Sequence, residues 1–161
     1  MVRVKDIPHV TRWLIAARVL SRMVLALGCE PADDVAAFRN GIRAELGDEI
    51  TQIADWYQMS RGHAADLVQT LGTISVVLFG PEFETRYIEG FPDEAVIRLT
   101  GCAMFREESA HGISPDQVNR VCQAYVTGAI EALNPAFTIS VTRSRCSGDA
   151  FCEMIIERKK G

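Results

Sequence analysis

Cysteine and histidine are both scarce, with five and three copies in 161 residues. That density is far below that of disulfide-stapled secreted scaffolds, and the cysteine spacings contain no C-x₂₋₄-C knuckle for structural zinc. An excess of positive charge is also lacking. The formal net charge is −4 and the pI about 5.4, which argues against a nucleic-acid surface. The apolar stretch near the N-terminus is interrupted by Arg18 and Arg22, so no transmembrane span is expected. No glycine-rich nucleotide loop, Ser-His-Asp order, carboxylate metal motif, internal repeat or low-complexity linker is present. The opening MVRVKDIPHV does not read as a secretory leader. These absences lead to the expectation of a cytoplasmic protein with free thiols, no metal and no cofactor.

What is present is apolar content of 48%, enough for one globular domain over residues 1–161. The pattern divides it into a helical part over 1–80 and a mixed part over 81–161. In the first helix Trp13, Ala17, Leu20, Val24 and Leu27 share a 3.6-residue stripe, while Ile15, Val19 and Ala26 leave little of the remaining surface polar. A helix so apolar around its circumference is expected to be buried on more than one side, in the core or against another copy, and the latter gives the expected homodimer. Asp33 or Asp34 is a candidate cap for a second helix with Val35, Phe38, Ile42, Leu46, Ile50 and Ile53 inward, in which Gly41 and Gly47 are candidate breaks. Ser60 is the expected start of a third helix that stops at Gly80-Pro81.

Beyond Glu84 the pattern turns extended. The runs ETRYIE and AVIRLTG flank GFPDE and form an expected hairpin. Ser114, Pro115 and Gln117 then supply an N-cap, a proline at the first helical position and a capping-box partner. The helix they open carries Val118, Cys122, Tyr125, Ala129 and Ala132 on one face and closes at Asn134-Pro135. FTISVTR and AFCEMIIE, joined around SGD, are the last two strands. The expected fold is α+β: N-terminal helices packed on a four-stranded antiparallel sheet, with a long helix between the two hairpins.

The run RCSGDAFCEMII, residues 145–156, holds two cysteines around a turn. A two-residue loop at Gly148-Asp149 puts Cys146 and Cys152 on opposite faces. A three-residue loop from Ser147 puts them on one face, but a diagonal step apart, beyond the preferred reach of a disulfide. Cys122 in VCQAY, then LNPAF, then VTRSRCSGDAFCEMII resemble the closing signature of the L-2-amino-thiazoline-4-carboxylic acid hydrolase family. Cys122, Arg143, Gly148, Asp149, Cys152 and Glu153 occupy matching positions over the last third of the chain, with Glu153 where the family often has aspartate and Met154 where an aromatic residue is usual.

The resemblance implies hydrolysis of a C–N bond in a cyclic amidine that bears a carboxylate. Such chemistry needs a cation for the carboxylate, a nucleophile or activated water at the amidine carbon, and an acid for the leaving nitrogen. Arg143 or Arg145 suits the first role, since a guanidinium fork matches a carboxylate. Cys102, at the strand end LTGC, and Cys152 are the nucleophile candidates, and Asp149 or Glu153 the acid. Trp56 and Tyr125 are the aromatic candidates for substrate contact. Each has a plainer reading as core or solvated surface: Cys152 and Cys122 as packed thiols, REESAHG around His111 as a charged turn, and His63 beside Asp66 as local contact. A second reading, from a weaker likeness to vinyl-reductase-type domains, is a non-catalytic module that binds a small apolar ligand between helices and sheet.

Overall fold

The computed structural model describes residues 3–16, 35–79, 85–101 and 114–160. A 3-10 turn at Val4–Asp6 leads into a helical segment over 9–16. Then come α1 (Val35–Trp56), α2 (Ala64–Phe79), β1 (Thr85–Gly90), β2 (Glu94–Leu99), α3 (Pro115–Leu133), β3 (Phe137–Arg143), a 3-10 turn at Arg145–Ser147, and β4 (Cys152–Arg158). The class is α+β, and the sheet runs β1-β2-β4-β3 with every neighbouring pair antiparallel.

Alternation along the strands explains why helices cover only one face. Ala95, Ile97 and Leu99 of β2, Phe137 and Ile139 of β3, and Cys152, Met154 and Ile156 of β4 are all buried. They point at α2 and α3, whereas Arg98, Glu153 and Ile155 point away, as expected of an antiparallel sheet with one packed face. Fully burying each large apolar side chain is worth roughly 1.5–3 kcal/mol, so this inner face and the helices on it hold the domain together.

Helix α1 runs unbroken through Gly41 and Gly47. At Gly47 the reason is proximity to α3: a Cβ there would stand 3.3 Å from the Cβ of Ala132, and Thr51 Oγ1 donates to the Ala132 carbonyl at 3.3 Å. Of the expected inward residues Leu46, Ile50 and Ile53 are buried; Asp33, Asp34 and the side chains of Val35, Phe38 and Ile42 lie outside the described residues.

Helix α2 begins at Ala64 rather than Ser60. The Asp66 carboxylate accepts the His63 backbone N–H at 3.1 Å, giving the helix start a partner that Ser60 does not supply, and the Ser60 carbonyl instead accepts the Thr70 hydroxyl at 2.7 Å. In the N-terminal segment Ile15 is buried while Trp13 is 69% exposed, so the buried side is not the stripe that began at Trp13; residues 17–27 of that stripe lie outside the described residues.

Candidate functional site

The link between β3 and β4 is longer than either tight hairpin expected from Ser147-Gly148-Asp149. Strand β3 ends at Arg143 and β4 begins at Cys152, with Arg143 opposite Glu153 and a bulge between Val141 and Arg143. Residues 144–151 close on themselves instead. Asp149 accepts the Ser144 N–H at 2.8 Å, and the Asp149 N–H returns to the Ser144 carbonyl at 3.1 Å. Gly148, at φ 95°, takes the left-handed conformation that lacks a Cβ penalty only for glycine, and its N–H reaches the Arg145 carbonyl at 3.0 Å. The Ser144 hydroxyl donates to Asn119 Oδ1 at 3.1 Å, fastening the loop to α3.

Arg145 joins this loop to two strands. Its backbone N–H points at Cys152 Sγ at 3.4 Å, and its Nη1 donates to the Thr100 carbonyl at 2.9 Å, just beyond β2. A thiol, a guanidinium and the Asp149 carboxylate therefore belong to one ordered junction at the end of the sheet. Cys152 is 93% removed from solvent and faces the helices; Asp149 is exposed and closes the turn. Cys122, Cys146 and Cys152 are not joined in disulfides. Cys102 lies outside the described residues, as does His111.

The other expected site residues do not join this junction. Glu153 is on the opposite face of the sheet from Cys152, where it accepts from Arg98 Nε at 2.6 Å and from the Thr142 hydroxyl at 3.0 Å. These two bonds, the Arg98 one first, hold its carboxyl below the usual range. Arg143 shares that outer face. Its guanidinium stands 5.3 Å from the centre of the Phe151 ring, which Arg98 approaches at 5.5 Å. Trp56 is 54% exposed, at the end of α1.

Tyr125 is fully buried; its hydroxyl lies 3.1 Å from Ser75 Oγ and its ring meets Phe79 edge-on at 4.9 Å. Burial drives the phenol well above its ordinary pKa. Near it Leu71, Gly72, Val126 and Met154 line an apolar gap of about 10 Å³ between α2, α3 and the sheet.

Sequence reasoning did not find Ser144, Asn119 or Arg98 as partners. Arg98 had a signal, since it is the one charged residue in AVIRLTG and strand alternation sets it opposite Glu153. Among the described residues no His/Cys/Asp/Glu group is arranged to hold a metal, and no helix is long and apolar enough to cross a membrane.

No family model matches the chain, and no curated protein matches it either. Among solved structures, the crystal structure of a trafficking protein particle complex subunit 3 from Naegleria fowleri, covalently bound to palmitic acid, is similar at a TM-score of 0.48. The two share 13% identity over 95% of this chain and 98% of that one. A likeness of that strength carries no argument about the ligand or activity of this chain.

Proposed function

We propose that the protein is a small hydrolase that opens a carboxylated cyclic amidine of the aminothiazoline carboxylate type at the end of the sheet. The observation that supports this reading best is Arg145, which ties the Cys152 thiol to the backbone two residues before Cys102. The planar guanidinium fork of Arg145 matches carboxylate geometry, which suits it to orient the substrate carboxylate. In the proposed reaction a cysteine thiolate adds to the amidine carbon and the ring C–N bond breaks. Asp149 relays the proton lost by the thiol to the leaving nitrogen, and water then releases the enzyme-bound intermediate. Cys102 is the preferred nucleophile, because Cys152 is buried and faces the packed helices. Glu153 and Arg143, on the outer face, have no part in this version.

The test is ring opening of 2-aminothiazoline-4-carboxylate by purified protein, with thermal stability measured alongside. Cys102→Ser is expected to abolish turnover at unchanged stability, and Arg145→Ala to raise KM. Activity retained per folded molecule in both Cys102→Ser and Cys152→Ser sinks the thiol mechanism.

The second reading, a module for a small apolar ligand, is the less supported, because the gap of about 10 Å³ between α2, α3 and the sheet has room for no more than about one water. Under either reading the chain works as a homodimer in a reducing cytoplasm. Support for the dimer comes from Val10 and Trp13, each 69% exposed, and Leu14, 49% exposed, in the N-terminal helical segment.

A further inference from the structure

A polar groove of about 450 Å³ lies away from the sheet end, between the N-terminal turn, the α1–α2 connection and the first turns of α2. That volume is in the range of small-molecule sites. Its walls carry Asp6, Tyr57, Gln58, Asp66, Gln69 and Thr73. Tyr57 is half-buried and packs on the core, which fixes one wall. The two carboxylates set the electrostatic character. Asp6 is already matched by Arg3, whose backbone N–H and Nε lie 2.9 and 3.5 Å away, whereas Asp66 receives the backbone N–H of His63. No basic side chain is found among the described residues lining the groove.

Gln58 is the unusual member. Helix α1 ends with the Met59 N–H on the Ala54 carbonyl at 2.9 Å and the Gln58 N–H on the Asp55 carbonyl at 3.1 Å, a Schellman pair. The residue between helix and loop in that motif sits left-handed and is usually glycine. Here it is glutamine at φ 49°, the one non-glycine residue with positive φ among those described. A Cβ is disfavoured at this position, yet a long amide is placed there, and it lines the cavity. Strain of this kind marks positions where a side chain serves something other than the fold.

We infer that this groove is a binding site for a small amino polyol of the amino-sugar class, with Asp66 taking the ammonium group, Gln58, Gln69 and Thr73 the hydroxyls, and Tyr57 the apolar face of the ring. An anionic ligand is disfavoured by Asp66, the carboxylate not matched by Arg3, so the groove differs in preference from the junction around Arg145 proposed to hold a carboxylate, and the inference stands apart from the hydrolase reading.

Ligand-observed NMR and calorimetry on the full chain with D-glucosamine, D-glucose and D-glucuronate test it. Binding is expected in the order glucosamine, then glucose, with none for glucuronate. Gln58→Gly is the deciding variant, because it keeps the backbone geometry and relieves the strain. Its melting temperature is expected to rise by roughly 2–4 °C while glucosamine affinity falls about tenfold, the loss of one good hydrogen bond. Cys152→Ser is expected to leave glucosamine binding unchanged, which separates this site from the thiol junction. Absence of glucosamine binding to the wild type, equal binding of glucuronate, or unchanged affinity in Gln58→Gly overturns the inference.

Discussion

At Glu153 one carboxylate is shared between Arg98 and Thr142, and the bonds that hold it ionised make the fold sensitive to acid. Its pKa in the folded chain lies below the ordinary value of 4.5, so the unfolded chain binds a proton first as pH falls. The stabilisation is complete above about pH 4.5 and is lost as pH drops through the folded value. Glu153→Gln is therefore expected to lower the melting temperature slightly on the neutral plateau and to converge with the wild type in acid, which flattens the acid limb of the melting temperature against pH curve; an unchanged acid limb counts against the pair. Tyr125 raises a different issue, because its hydroxyl meets Ser75 inside the core. Tyr125→Phe removes one partner and leaves the buried Ser75 hydroxyl unsatisfied, at an expected cost of about 1–3 kcal/mol in denaturant unfolding. Composition and periodicity made Tyr125 legible as a residue of the buried stripe, but not its bond to Ser75. Cys152 and Glu153, neighbours on β4, face opposite sides of the sheet, which separates the nucleophile and acid roles the sequence offered them. Strand alternation carries that information; the loop length that fixes the register is set by tertiary hydrogen bonds.

Among the elements, the β1–β2 hairpin and α3 were the most legible, because their signals are local. The turn GFPDE closes with the Phe91 N–H on the Glu94 carbonyl at 2.7 Å, and α3 starts at Pro115 behind Ser114. The glycines were harder, since their reason lies in a neighbouring element. Gly47 read as a break but is a contact point for α3. Gly90 read as a turn residue, yet its constraint is α2: an added Cβ would lie 2.8 Å from the Ala65 Cβ and 3.2 Å from that residue's Cα. Gly90→Ala must push backbone as well as side chain and is expected to cost about 1–3 kcal/mol. Gly148 faces open space, so Gly148→Ala is strained only through its left-handed φ, at an expected cost of about 1 kcal/mol. A denaturation series in which the Gly90 variant is no less stable than wild type contradicts the close approach of α2 and β1.

For the whole molecule the open question is what meets the N-terminal helical segment. Ile15 fastens it to the core, while Val10, Trp13 and Leu14 are turned to solvent. Singly exposed apolar residues are ordinary, but these three lie within five positions on one short segment, and Trp13 is the residue type most enriched in the centres of interfaces. Isologous pairing of two such segments buries the same patch on both copies, so one substitution weakens the contact twice. In such a pairing Trp13→Lys would place a charge on each side of the contact and remove both indoles, whereas its effect inside one chain is expected to be small because the side chain is already in water. Sedimentation equilibrium over a concentration range is expected to give a dimer for the wild type and a monomer for Trp13→Lys, with melting of the dilute proteins differing little. A wild type that stays strictly monomeric at high micromolar concentration excludes the pairing, and a variant that remains dimeric moves the interface to a different surface.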